Sequence, residues 1–138
     1  MEKSINGSCL CGKVVILASA LTPNVGACHC GICRKWSAGP FFAVDCGTAV
    51  EIQGRENVQI YDSSEWAERA FCKSCGSNLF YRLKESQKHI VSSEIFSDLD
   101  LNFDHQIFID EKPSYYSFSN KTKNMTGAEV FAAHAPTE

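Results

Sequence analysis

Apolar and polar residues alternate in short runs along much of the chain, as at Val50/Ile52, Val58/Ile60 and Leu79/Tyr81/Leu83. A period of two marks strands with one buried and one solvated face. On this pattern, strands are expected at Lys13–Ala18, Phe41–Cys46, Thr48–Gln53, Asn57–Tyr61, Glu68–Phe71, Leu79–Leu83, His89–Ser93 and His105–Ile109. Turn residues separate them at Leu21-Thr22-Pro23-Asn24, Cys46-Gly47, Gly54, Asp62-Ser63-Ser64 and Gly76-Ser77, and Asn6-Gly7-Ser8 reads as a further turn. Ala27–Cys33 reads as a loop, with one helical turn over Arg34–Ser37 that Gly39-Pro40 stops, and Gly127–His134 as a short terminal helix. Many short strands and little helix predict a mainly β fold of antiparallel sheets, a single domain over residues 1–138.

Composition narrows the class. At 138 residues, with 44% hydrophobic and 21% charged residues, the chain can bury a core without covalent staples. Its longest aliphatic stretch, Val14–Ala18, is too short to cross a bilayer, and Met1–Asn6 lacks the apolar core of a signal peptide, so a cytoplasmic location and no membrane partner are expected. A net charge of −3 without a basic stripe argues against nucleic acid as a partner. Three glycosylation-type sequons, at Asn6, Asn120 and Asn124, have no secretory route to use them.

The reducing location changes how the eight cysteines read, because it favours metal binding over a disulfide framework. Seven stand in three groups: Cys9-Leu10-Cys11, Cys28-His29-Cys30-Gly31-Ile32-Cys33 and Cys72-Lys73-Ser74-Cys75. The first and third groups are each followed by glycine, which accepts the positive φ of a metal knuckle. Cys9, Cys11, Cys72 and Cys75 make up the four sulfurs of a closed structural zinc site. Cys28, Cys30 and Cys33 supply only three, leaving a fourth tetrahedral position for water or a thiol. Two zinc ions per chain follow.

Arg34 and Lys35 adjoin the three-sulfur group and either balance its charge, hold a substrate carboxylate, or form an exposed basic pair. Cys46 reads as a small buried apolar residue; as a fourth ligand it would close the second site. In an extended Cys-x-Cys segment the His29 side chain points away from the sulfurs, and His89 and His105 read as packed or hydrogen-bonded strand residues. His134 lies near the end of the chain.

Gly7-Ser8-Cys9-Leu10-Cys11-Gly12, Cys28-His29-Cys30-x-x-Cys33-Arg34-Lys35, Phe71-Cys72-x-x-Cys75-Gly76-x-x-Leu79 and His105-x-x-x-Ile109 with Lys112-Pro113 together resemble the glutathione-dependent formaldehyde-activating enzyme family. Centromere protein V carries a similar domain. The resemblance runs from Gly7 to Tyr116 and implies folded sheets stapled by zinc, a structural site on the first and third cysteine groups, and a second site on Cys28, Cys30 and Cys33. It also implies an activity: condensation of glutathione with formaldehyde to S-hydroxymethylglutathione, or its reverse as a carbon–sulfur lyase. Where the family has tryptophan after the Lys-Pro pair, this chain has Tyr115-Tyr116, either a packed aromatic pair or an altered substrate contact.

Two function classes follow. In the first, zinc on Cys28, Cys30 and Cys33 activates a small thiol such as glutathione toward an aldehyde, with Arg34 or Lys35 holding the thiol's carboxylates. In the second, both zinc sites are structural, Cys46 completes the second, and the domain is a scaffold. A redox-dithiol reading lacks the βαβ context that such motifs require.

Overall fold

The computed structural model describes residues 5–134, so residues 1–4 of the Met1–Asn6 stretch lie outside the described residues. In chain order the first strands are β1 (Ile5–Ser8), β2 (Val15–Ala18), β3 (Asn24–Cys28), β4 (Phe41–Asp45), β5 (Val50–Gln53) and β6 (Val58–Tyr61). They are followed by β7 (Ala67–Cys72), β8 (Asn78–Leu83), β9 (His89–Ser92), β10 (Asn102–Ile107) and β11 (Lys123–Met125). Two helices complete the set, α1 (Gly31–Ser37) and α2 (Gly127–His134), with short 3-10 turns at Arg55–Asn57, Ser93–Phe96 and Ile109–Glu111. None of these helices is long and apolar enough to cross a membrane.

These elements form two compact units. Among the described residues, one takes residues 5–23 together with Ala43–Asp100; the other takes Asn24–Phe42 and residues 101–134.

The first unit holds a three-stranded antiparallel sheet in the order β1-β2-β5 and a longer antiparallel run from β4 through β9, β8 and β7 to β6. Small and large apolar residues align across the longer run. The register pairs Ala70 with Phe80, Phe80 with Val91 and Val91 with Val44, so these four fully buried residues form one apolar row across four strands. β8 is buried on both faces, since Leu79 and Tyr81 on the side opposite Phe80 are buried as well. The same register holds the ends of β7 and β8 around the turn that carries Cys72 and Cys75.

The second unit departs from the antiparallel expectation. Here β10 lies between β3 and β11, and both pairings are parallel. Parallel partners cannot be joined by a hairpin. Between β3 and β10 the chain runs through all of Ala43–Asp100, a connection that local pattern does not reveal. Four of the five residues of β3 are buried, so it shows no alternation, and in the sequence its two ends read as parts of the Leu21–Asn24 turn and the Ala27–Cys33 loop. An edge-to-face cluster of Phe42, Phe103 and Phe118, with ring centroids 5.2–5.6 Å apart, packs this unit.

Candidate metal centres

The first cysteine group occupies the tight turn between β1 and β2, and the third the turn between β7 and β8. Each turn closes on a glycine amide: Gly12 donates to the Cys9 carbonyl at 3.1 Å and Gly76 to the Cys72 carbonyl at 2.8 Å. Their φ angles are 81° and 78°, and nothing stands where a Cβ would be, so conformation rather than space demands glycine at both. Side chains stitch the turns together. The Leu10 amide donates to Ser77 Oγ and Lys13 Nζ to Ser74 Oγ, each at 3.1 Å.

In consequence the sulfurs of Cys9, Cys11, Cys72 and Cys75 all lie within 4.8 Å of one another. Cys9 and Cys11 are 3.6 Å apart, and Cys11 and Cys72 3.8 Å. Four sulfurs set tetrahedrally about 2.3 Å from a zinc ion define edges of about 3.8 Å. The cluster therefore fits zinc. Donors around it favour thiolate: the Val14 amide reaches Cys9 Sγ at 3.4 Å, and Ser77 Oγ lies 3.2 Å from Cys75 Sγ. The Ser77 hydroxyl and amide hold Cys75 down at about 5. Cys11 is pushed up to about 11: its Lys13 amide bond pulls it down, but burial and the three neighbouring sulfurs outweigh that bond. Four thiolates at this spacing need a cation between them.

The second group is built differently. Cys28 ends β3, Cys30 sits at the N-cap of α1 in extended backbone, and Cys33 lies in the first turn. The Cys30 sulfur accepts the Cys33 amide at 3.4 Å, the role a serine oxygen plays at most helix starts. Glu111 accepts the Gly31 amide at 2.9 Å, satisfying another of the free donors at the helix start. These two caps start α1 at Gly31, inside the cysteine group, rather than at the expected Arg34. They also bring the three sulfurs within 4.8 Å of one another, all buried. Cys28 is driven far above the ordinary thiol range by the sulfurs of Cys30 and Cys33, then by burial. The three can lose their protons together only beside a compensating cation, so this donor set also suits a metal.

Among the described residues no fourth Cys, His, Asp or Glu ligand atom joins these three sulfurs. Cys46, the fourth ligand on which the scaffold reading depends, lies buried just after β4, its amide bonded to the His89 carbonyl and its thiol pushed up to about 12 by burial and then by Asp45. Arg34 is half-buried, and its Nε donates to the His29 carbonyl at 2.9 Å, while Lys35 is exposed. His89 is buried against Phe80, with ring centroids 4.9 Å apart, and burial pulls its imidazole down. His134 closes α2, and its side chain lies outside the described residues.

As its alternation requires, His29 turns away from the sulfurs, and it is completely buried. Its Nε2 lies 2.8 Å from Gln106 Oε1 and its Nδ1 2.7 Å from the Tyr116 hydroxyl. Gln106 Nε2 in turn donates to Thr122 Oγ1 at 2.8 Å, which fixes the Gln106 oxygen as the atom facing His29. His29 therefore donates from Nε2 to Gln106, and in its neutral form it accepts the Tyr116 hydroxyl at Nδ1. Burial, which outweighs the Gln106 bond, keeps the imidazole below its usual range. Lys112 Nζ bonds the Tyr116 carbonyl and lies 5.1 Å from the centre of its ring. This network anchors the loop between Cys28 and Cys30 to β10 and to the segment after it. No local signal in the sequence joins Gln106 and Thr122 to His29, since they are 77 residues away and beyond. Replacing Tyr116 by Phe leaves the buried His29 Nδ1 unpaired and is expected to cost about 1–3 kcal/mol. The urea midpoint should fall with the slope unchanged.

The fold and the two sulfur clusters define a class: a β-rich protein with a four-cysteine and a three-cysteine centre, each able to hold a metal. Residues 4–111 match the model of the glutathione-dependent formaldehyde-activating enzyme family, and the chain belongs to that family. It is 37% identical over 126 residues to an uncharacterized lyase of Schizosaccharomyces pombe, covering 90% of this chain and 92% of the relative. It is 29% identical over 133 residues to a Halomonas elongata protein provisionally named a glutathione-dependent formaldehyde-activating enzyme, covering 87% of this chain and 84% of that one. A crystal structure of a Rhodobacter sphaeroides protein shares the fold, with a TM-score of 0.60 at 22% identity over 70% of this chain and 91% of that one.

Proposed function

We propose that this chain is a zinc-dependent carbon–sulfur lyase that makes and breaks the adduct of a small thiol, such as glutathione, with formaldehyde or a similar aldehyde. One observation carries the proposal: three buried sulfurs converge, and no fourth protein ligand atom joins them among the described residues. The names of the family and of the relatives support the same reaction class.

In this reading Cys9, Cys11, Cys72 and Cys75 hold a structural zinc, and Cys28, Cys30 and Cys33 hold a second with one position open. When bound there, zinc supplies charge that lowers the pKa of an incoming thiol and favours its thiolate at neutral pH. The chain supplies the rest. The bonds around His29 and Cys30 keep the three sulfurs in place before substrate arrives. Arg34, whose Nε is already engaged, offers its remaining guanidinium donors to a substrate carboxylate, and exposed Lys35 offers a second cation. In the forward direction the thiol sulfur bonds to the carbonyl carbon and the carbonyl oxygen gains a proton. The reverse cleaves that carbon–sulfur bond. Because the chemistry depends on free thiolates, a reducing compartment such as the cytoplasm suits it.

Isotopic exchange between labelled formaldehyde and the glutathione adduct, followed by NMR, tests the proposal. Exchange at least about tenfold faster than the spontaneous reaction is expected, with none when the thiol is replaced by its S-methyl derivative. Exchange at the spontaneous rate with zinc-loaded protein contradicts it.

A further inference from the structure

The reaction proposed above moves a proton between sulfur and oxygen, yet none of the residues so far assigned carries one. A histidine–aspartate pair on β10 is suited to that task. His105 Nδ1 lies 2.6 Å from Asp104 Oδ1, although neighbours on a regular strand point to opposite faces. The reason is a register irregularity between Phe103 and His105 in the pairing with β3. Such bulges swing one side chain round and are common beside active sites.

The register then locates the ring. His105 is paired with Gly26 and Ile107 with Cys28. A Cβ on Gly26 would stand 2.1 Å from His105 Nε2, so glycine in mid-strand is what lets the imidazole lie across β3. Gly26 and Cys28, two residues apart on one strand, face the same side, at a spacing of about 7 Å. His105 Nε2 thus lies on the face of β3 that carries Cys28 Sγ, while His29 and Gln106 occupy the other. His105 and Asp104 are each more than a third exposed, and Nε2 makes no hydrogen bond among the described residues. Asp104, as acceptor, holds the proton on Nδ1 and leaves the Nε2 lone pair free.

We infer that His105 is the general acid–base residue of the proposed reaction, with Asp104 as the residue that orients it. In the forward direction Nε2 takes the thiol proton. The sulfur electron pair then forms the S–C bond as the carbonyl π pair moves to oxygen, and Nε2–H returns the proton to that oxygen. In reverse Nε2 removes the hydroxyl proton, the S–C bond breaks and the thiolate is reprotonated. No other reactant is consumed.

This inference rests on the lyase reading, and the test separates the two. The exchange assay is run on zinc-loaded wild type, His105→Gln and Asp104→Asn, with metal content and thermal midpoint measured alongside. Histidine ring NMR is recorded with and without glutathione. His105→Gln should lose about a hundredfold in rate with metal content and midpoint unchanged, and added imidazole should restore part of the loss. Asp104→Asn should lose less and shift the His105 nitrogen signals away from the Nδ1–H tautomer. The wild-type His105 signal should move on adding glutathione while that of buried His89 stays fixed. Exchange in His105→Gln at the wild-type rate, or a His105 signal indifferent to glutathione, overturns the inference. An inactive wild type overturns the lyase reading instead, and the ring signal alone then decides: movement upholds His105 at a thiol site, and no movement overturns it.

Discussion

Replacing Cys72 by Ser is expected to cost the protein its folded state. Cys72 is completely buried at the end of β7, with its amide bonded to the Ser77 carbonyl at 2.9 Å and its sulfur 3.8 Å from that of Cys11. The four-sulfur cluster ties the β1–β2 turn to the β7–β8 turn across more than sixty residues of chain. Structural zinc in small domains contributes about 10–16 kcal/mol at neutral pH. Whole domains are stable by only about 5–15 kcal/mol, so losing even half of the metal's contribution removes most of the margin. Circular dichroism should report a lost or drastically lowered unfolding transition, and strong chelation of the wild type should reproduce it. A Cys72→Ser protein that melts within a few degrees of wild type would contradict the structural role.

Cys30 predicts the opposite division between fold and activity. Its sulfur does two jobs, capping α1 through the Cys33 amide and standing in the three-sulfur cluster. Serine keeps the cap, because its oxygen accepts the same bond, but is a poor ligand for zinc. Cys30→Ser is therefore expected to keep the wild-type melting behaviour within a few degrees, lose one metal equivalent and lose thiol-dependent exchange by about a thousandfold or more. Cys30→Ala adds the cost of the cap, about 1 kcal/mol. Undiminished exchange in Cys30→Ser would eliminate the proposed open site as the place of reaction.

What the sequence reveals depends on whether the determinant is local. The central run of strands is legible because Val58/Ile60 and Leu79/Tyr81/Leu83 alternate, and the two knuckles because glycine follows Cys11 and Cys75 at the position that needs positive φ. β1 is not legible, since Asn6-Gly7 has the composition of a turn and is extended only through its pairing with β2. The start of α1 is hidden because a cysteine and a distant glutamate do the work of the usual capping residues. Tyr116 could be singled out as unusual, but its bond to His29 could not be foreseen. The Asp104–His105 pair is invisible for a related reason: alternation sends neighbours to opposite faces, and only the irregular pairing with β3 overrides it.

The central claim, one closed and one open zinc site in a single chain, is most directly tested by counting metal. Protein purified without chelators is analysed for zinc per chain, then again after brief exposure to a mild chelator. The prediction is two zinc ions falling to one, with the fold intact, as the ion on Cys28, Cys30 and Cys33 leaves and the ion on Cys9, Cys11, Cys72 and Cys75 stays. Two ions that both resist the chelator would mean that the second site is closed, and would contradict the account.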